Sequence, residues 1–165
     1  MRNVRPLGII MKPVIQLERT GCGIASVAAI VGLSYPDAKS VANALGIFAH
    51  DERLWSDTSH VRRLLRHFGV RTGSRNIPFR SWDALPAIAL LALKWHLENG
   101  RPYWHWAVFV REVWHPCVLD SKKSLRTHRR TDFGRMKPKW YIPVMNAQQR
   151  GGGAEPLSYW TSSGE

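Results

Sequence analysis

At 165 residues, 44% of them hydrophobic and eight of them tryptophan, the chain has enough apolar material for a buried core, which excludes a chain disordered throughout. Its 24 Lys and Arg against 12 Asp and Glu leave a net charge of +12, a balance that suits an anionic partner or an acidic protein substrate. No apolar run approaches the ~20 residues that cross a bilayer, and the charged start Met1 to Pro6 lacks the apolar stretch of a secretory signal, so no transmembrane segment and a cytoplasmic location are expected.

The segment Pro13-Val14-Ile15-Gln16-Leu17 alternates, turning Gln16 away from Ile15 and Leu17. Thr20 is placed to cap a helix from Cys22 to about Val31, with Ile24, Val27, Ala28 and Val31 as its apolar stripe. A second helix starts at Ser34-Tyr-Pro-Asp37, carries Ala38, Val41, Ala42 and Leu45 on one face, and stops at Gly46. The third is capped by Thr58 or Ser59, shows Val61, Leu64, Leu65 and Phe68, and ends at Gly69. Val70 to Thr72 suggests a short strand, and residues 81–86 a turn or short helical link.

Pro86 to Trp95 is continuously apolar and fits helix or strand. Asn99-Gly100 favours strand, because it is a hairpin signal joining this segment to Pro102–Val113, which is rich in aromatic and β-branched residues. A strand ending at Asp120 and a last one over 139–144 complete an antiparallel sheet. The expected architecture is α+β, with N-terminal helices packed on a C-terminal antiparallel sheet, as one domain over 1–145 and a flexible polar tail over 146–165.

Four residues on these elements suggest chemistry. Cys22 falls in the first turn of its helix, where unpaired backbone N–H groups and the positive end of the dipole favour thiolate, and Gly21 and Gly23 let the backbone approach a substrate. Gln16 can aim its amide at the thiol and, with the Cys22 N–H, stabilise an oxyanion. Period two puts Tyr103, His105, Ala107 and Phe109 on one face of a strand and Trp104, Trp106, Val108 and Val110 on the other. Asp120, at the end of the next apolar run, can fix the His105 ring and leave its other nitrogen for the Cys22 proton. Singly, each has an ordinary explanation: Gln16 as an exposed polar residue, His105 as a buried hydrogen-bonded imidazole, Asp120 as part of the turn Asp120-Ser121-Lys122-Lys123.

Together, Gln16, five intervening residues, Cys22-Gly23, a small-residue helix, His105 in His-Trp-Ala-Val and Asp120 fifteen positions later resemble the papain-like cysteine peptidases that process double-glycine leader peptides. Free-standing bacterial relatives of that bacteriocin-processing group also exist. The resemblance covers about residues 12–145 and implies a papain-like fold, Cys22 as nucleophile, His105 as general base, Asp120 as its orienting group and Gln16 completing the oxyanion hole. It departs from the usual pattern at Gly21, where the family has Asp, and at Asp120-Ser121, where it often has Asp-Pro. No transporter sequence follows the resembling region, so the resemblance does not by itself imply export-coupled leader cleavage.

The expected activity is therefore peptide or amide hydrolysis, without cofactor or metal, on a peptide or protein substrate, acidic ones included. The same thioester opened by an amine gives acyl transfer, and attack on a glutamine side chain gives deamidation. A catalytically silent basic binding module for an anionic partner is the alternative from another class. Residues 121–140 hold eight Lys or Arg, and Arg62, Arg63, Arg66, Arg71, Arg75 and Arg80 form a second group. No zinc finger, helix-turn-helix or ribonucleoprotein signature accompanies them, so a solvated basic surface ranks above nucleic-acid binding. His115-Pro116-Cys117 is a tight pair without structural-zinc spacing, which ranks a zinc-stabilised binding protein low. The two cysteines give no disulfide framework, although a Cys22–Cys117 bridge stays open. Trp104, Trp106 and Trp114 are either groove-lining or core residues.

Overall fold

The computed structural model describes residues 11–112 and 115–145; the tail expected over 146–165 and Trp114 lie outside them. Three α-helices come first among the described residues: α1 (Cys22–Val31), α2 (Tyr35–Ala44) and α3 (Ser59–His67). A six-stranded antiparallel sheet follows, built from β1 (Ile77–Pro78), β2 (Ile88–Glu98), β3 (Arg101–Arg111), β4 (Pro116–Leu119), β5 (Arg129–Arg130) and β6 (Trp140–Pro143), in the order β1-β6-β2-β3-β4-β5. The expected α+β layout is what forms.

The helices follow their punctuation. Ser34 caps α2 by accepting from the Asp37 N–H at 3.2 Å, and Gly32 closes α1 in the left-handed region at φ 84°. Two expected caps differ. Thr20 gives its hydroxyl to the Ala49 carbonyl instead, and Gly21 stands at the α1 N-cap with no side-chain hydrogen bond. At α3 the Asp57 carboxylate, not Thr58 or Ser59, accepts from the His60 N–H at 2.9 Å. The stripe expected on α1 is also too narrow, because all ten residues of the helix are buried. Small side chains all round let it act as a central core helix.

Asn99 and Gly100 have φ of 52° and 78°, the two left-handed residues of a type I′ turn, and join β2 to β3 as expected. The strand expected over 70–72 is reduced to one bridge, Thr72 to Val144. Residues Trp82–Ala84 form the short helical link as a 3₁₀ turn. Two-residue β1 and β5 cover the sheet edges.

The sheet separates two cores. Ile24, Val27 and Ala28 of α1 share the larger cluster with Trp104, Trp106, Val108 and Val110. Leu85, Leu91, Ala107, Phe109, Val118 and Met136 fill the smaller cluster on the opposite face. Trp104 and Trp106 are thus core residues, and not the lining of an open groove. Both cysteines are free. No helix among the described residues is long and apolar enough to cross a membrane.

Candidate active site

The structure brings Cys22, His105 and Asp120 together at one edge of the sheet. Cys22 opens α1, where the first N–H groups have no intrahelical acceptor and no side chain caps them. Beside it, β4 stops. Its last pairing with β3 is Leu119 to Val108, after which Asp120 pairs its N–H with the His128 carbonyl at 2.9 Å. The β3 edge is therefore open at Trp106, whose N–H donates to the Cys22 sulfur at 3.4 Å.

By alternation His105 belongs to the face of Ala107 and Phe109, away from the face on which α1 packs. It meets the sulfur at the sheet edge, not beneath the helix. Its Nε2 lies 2.8 Å from Asp120 Oδ1, and its side chain keeps 15% exposure while that of Asp120 keeps 2%. Burial disfavours the imidazolium, yet hydrogen bonds and charge from Asp120 and Cys22 outweigh it and push the His105 pKa up to about 9. Burial likewise opposes ionisation of Asp120. The His105 hydrogen bond and charge, the Lys122 N–H at 3.1 Å and Arg130 Nη1 at 3.0 Å reverse that and hold it at about 2.

Arg130 is a component that sequence reasoning missed. It joins the Asp120 and Asp132 carboxylates, the latter at 2.7 Å, from an edge strand of two residues. A two-residue strand in a basic run carries no periodic signal. The Trp106 N–H was equally hidden, since a backbone donor depends on where the neighbouring strand ends.

Gln16 comes to the same place in a different posture from the one expected. It is buried at 7% exposure, whereas Ile15 and Leu17 are exposed at 41% and 55%, so the alternation holds but the polar residue points in. Its amide nitrogen donates to the Glu18 and Arg19 carbonyls, each at 2.9 Å, and its Oε1 accepts from the Ser121 hydroxyl at 2.7 Å. Both amide hydrogens are thus engaged by its own loop, and the Ser121 hydroxyl supplies the donor that fixes its oxygen.

The two glycines flanking the sulfur are sterically required. A Cβ at Gly21 would overlap the Tyr35 hydroxyl, which donates to Glu18 at 2.5 Å, and a Cβ at Gly23 would overlap His60 Nε2. His60 is buried at 2% exposure, bonded through Nδ1 to Asp57 at 3.0 Å, with no partner for Nε2 among the described residues and its ring edge-on to Trp106. Among the described residues no group of three or more His, Cys, Asp or Glu is arranged to hold a metal.

A cleft of about 410 Å³ opens beside this cluster, lined in part by Gln16, Leu17, Trp55, Lys94 and His105. Cys22, 1% exposed, does not itself line it.

No protein-family model matches the chain, and no curated protein matches it significantly. Among solved structures it is similar to a double-glycine-motif protease from an AMS/PCAT transporter, in complex with its leader peptide, at 13% identity and a TM-score of 0.53, covering 82% of this chain and 91% of that one. The fold is that of a papain-like peptidase domain. The peptidase domain of Streptococcus ComA, a bifunctional ABC transporter of a quorum-sensing pathway, aligns at 16% identity and a TM-score of 0.46, covering 82% of this chain and 98% of that one. The same domain from Streptococcus mutans aligns at 15% identity and 0.46, covering 81% and 98%. The hydroxyl of Tyr35 occupies the space that a side chain before Cys22 would need, which accounts for glycine at position 21.

Proposed function

We propose that the chain is a cysteine peptidase. Cys22 acts as the nucleophile, His105 as general acid–base, Asp120 as the group that orients the imidazole, and Gln16 with the Cys22 N–H as donors to the oxyanion. The observation that carries this reading is His105 held between Asp120, at 2.8 Å, and the Cys22 sulfur, with a pKa raised to about 9. An imidazolium that persists to that pH stabilises a thiolate partner.

In the resting pair His105, its pKa raised to about 9, holds the proton it shares with the Cys22 sulfur. The sulfur lone pair forms a bond to the scissile carbonyl carbon, and the carbonyl π electrons move onto oxygen. The Cys22 N–H meets that oxygen, together with one amide hydrogen that Gln16 releases from the Glu18 or Arg19 carbonyl. Collapse breaks the C–N bond, and His105 gives its Nδ1 proton to the departing amine. Neutral His105 then takes a proton from water, whose oxygen opens the thioester and returns the thiolate. The leader peptide in the solved neighbour supports a peptide as occupant of the cleft.

The basic binding module has weaker support, because much of the charge is tied into the fold. Arg62 donates to Gly73, Arg129 pairs with Glu112 at 2.9 Å, Arg130 joins two carboxylates, and Lys139 sits 4.5 Å from the Trp95 ring centroid. The deciding experiment is the pH dependence of iodoacetamide alkylation at Cys22 and Cys117, read by peptide mass spectrometry. Burial pushes the Cys117 thiol up, which makes it an internal control. Cys22 is expected to react well below the free-thiol pKa of ~8.5 and to lose that reactivity in His105→Ala. A Cys22 that behaves like Cys117 in both proteins overturns the reading.

A further inference from the structure

The cleft beside His105 is walled by cations. Arg19, Lys94, Lys122 and Lys123 line it, and the only carboxylate among its lining residues is Glu18. Glu18 is already taken by Lys39 and by the Tyr35 hydroxyl at 2.5 Å. Arg19 has a partner too, lying 5.1 Å from the Trp55 ring centroid. For Lys94, Lys122 and Lys123 no carboxylate stands within ion-pair distance among the described residues.

Lys94 and Lys122 are the unusual members. The register of β2 slips between Leu93, opposite His105, and His96, opposite Tyr103, so β2 carries one extra residue there. Lys94 sits in that bulge with φ 53°, a conformation disfavoured for a residue with a Cβ. The bulge re-aims its side chain into the cleft, next to the strand position of His105. Lys122 arrives from the other side, two residues after Asp120. Both side chains line the cleft, and the charge of Lys122, with burial, lowers the Lys94 pKa. Asp120 is near, but its oxygens already accept from His105, Arg130 and the Lys122 N–H. Two like charges converging where no protein anion answers them leave a place for an anion brought from outside.

We infer that the His105 side of the cleft is a carboxylate-binding subsite, built by Lys94 and Lys122, for a carboxylate on the leaving-group side of the scissile bond. This rests on the peptidase reading above. The side follows from the chemistry, because His105 protonates the departing amine and both lysines flank the His105–Asp120 pair. The carboxylate belongs either to an acidic side chain or to the free C-terminus of the peptide.

The test compares two alkylating agents of similar size on the full chain. Iodoacetate is anionic and iodoacetamide neutral, and their rate ratio at Cys22, relative to that at Cys117, reads local attraction for a carboxylate. The ratio is expected to favour iodoacetate in the native protein, and to fall about fivefold in Lys94→Gln and in Lys122→Gln, as loss of one nearby charge in a solvated cleft implies. It should stay unchanged in Lys137→Gln, which removes the same charge elsewhere, and shrink at high salt. A Cys22 no faster than Cys117 with either reagent overturns the nucleophile reading itself. A fast Cys22 whose ratio ignores Lys94 and Lys122 overturns the subsite alone. Protection of Cys22 by N-acetyl-Ala-Ala-Glu carboxamide, by N-acetyl-Ala-Ala-Ala with a free C-terminus, and by the neutral N-acetyl-Ala-Ala-Gln carboxamide separates the sources. Stronger protection by the first assigns a side-chain carboxylate, stronger protection by the second assigns a C-terminus, and equal protection by all three overturns the subsite.

Discussion

Asp120→Asn keeps the shape of the side chain and removes its charge, so it isolates what the carboxylate does. Asp120 is held at about 2 against an ordinary 3.8, a difference of roughly 1.8 pH units. At 1.36 kcal/mol per unit this corresponds to about 2 kcal/mol of folding stability at neutral pH. The raised pKa of His105 is in part the same interaction seen from the other end, so the two shifts are counted once. Because the folded pKa is depressed, the contribution is complete above pH 3.8 and disappears as pH falls through about 2. Urea unfolding followed by tryptophan fluorescence should therefore show the variant less stable by about 2 kcal/mol at pH 7, with the gap closing by about pH 2. A gap of the same size at both ends of that range would refute the reasoning, since it would reflect packing and not charge. In the same variant the His105 pKa should fall from about 9, and Cys22 should lose part of its alkylation rate at pH 6 to 7.

Two further outcomes follow from the same geometry. Cys22→Ala removes one of the two partners that raise His105, so an NMR titration of the imidazole should give a lower pKa than in the native protein. Stability conferred by the raised His105 is complete below its ordinary 6.5 and lost as pH rises through about 9, and in this variant that loss should be smaller and finish at lower pH. Gly21→Ala drives a methyl group into the Tyr35 hydroxyl and should cost about 1–3 kcal/mol of overpacking in thermal or urea unfolding. The variant Gly21→Ala/Tyr35→Phe, which clears that hydroxyl, should recover part of the loss.

How much of this was legible in the sequence depended on whether a side chain or the backbone carried the information. The first helix declares its end through Gly32, and Asn99-Gly100 declares the hairpin, because each left-handed conformation demands those residue types. From the hairpin the strand parity follows, and with it the separation of His105 from Trp106. The Gln16 side chain was read in place, but the partners of its amide were not, since they are the carbonyls of Glu18 and Arg19 in a loop with no pattern. His105 was read as the partner of Cys22, but nothing in the sequence told that α1 packs on the opposite face of the sheet, with Trp104 and Trp106. A period of two tells which residues share a face and says nothing about where a strand pairing stops. It is the end of β4 at Leu119 that opens the edge to the sulfur.

That same end explains how a chain so rich in cations keeps a buried anion at its centre. Where β4 leaves β3, the backbone turns and Asp120 drops into the gap, bringing a carboxylate to a site with 2% exposure. Left alone it would protonate, because burial disfavours the charge. Arg130 reaches it from β5, which pairs with β4 through Leu119 to Arg129, so the strand that delivers Asp120 also fixes the strand that neutralises it. With Oδ2 satisfied by Arg130, Oδ1 faces His105. The cations next along the chain, Lys122 and Lys123, then fall on the cleft rim and not at the buried carboxylate. One strand ending thus sets three things at once: an open β3 edge for the sulfur, an ionised partner for His105, and a positive wall on the cleft beside it.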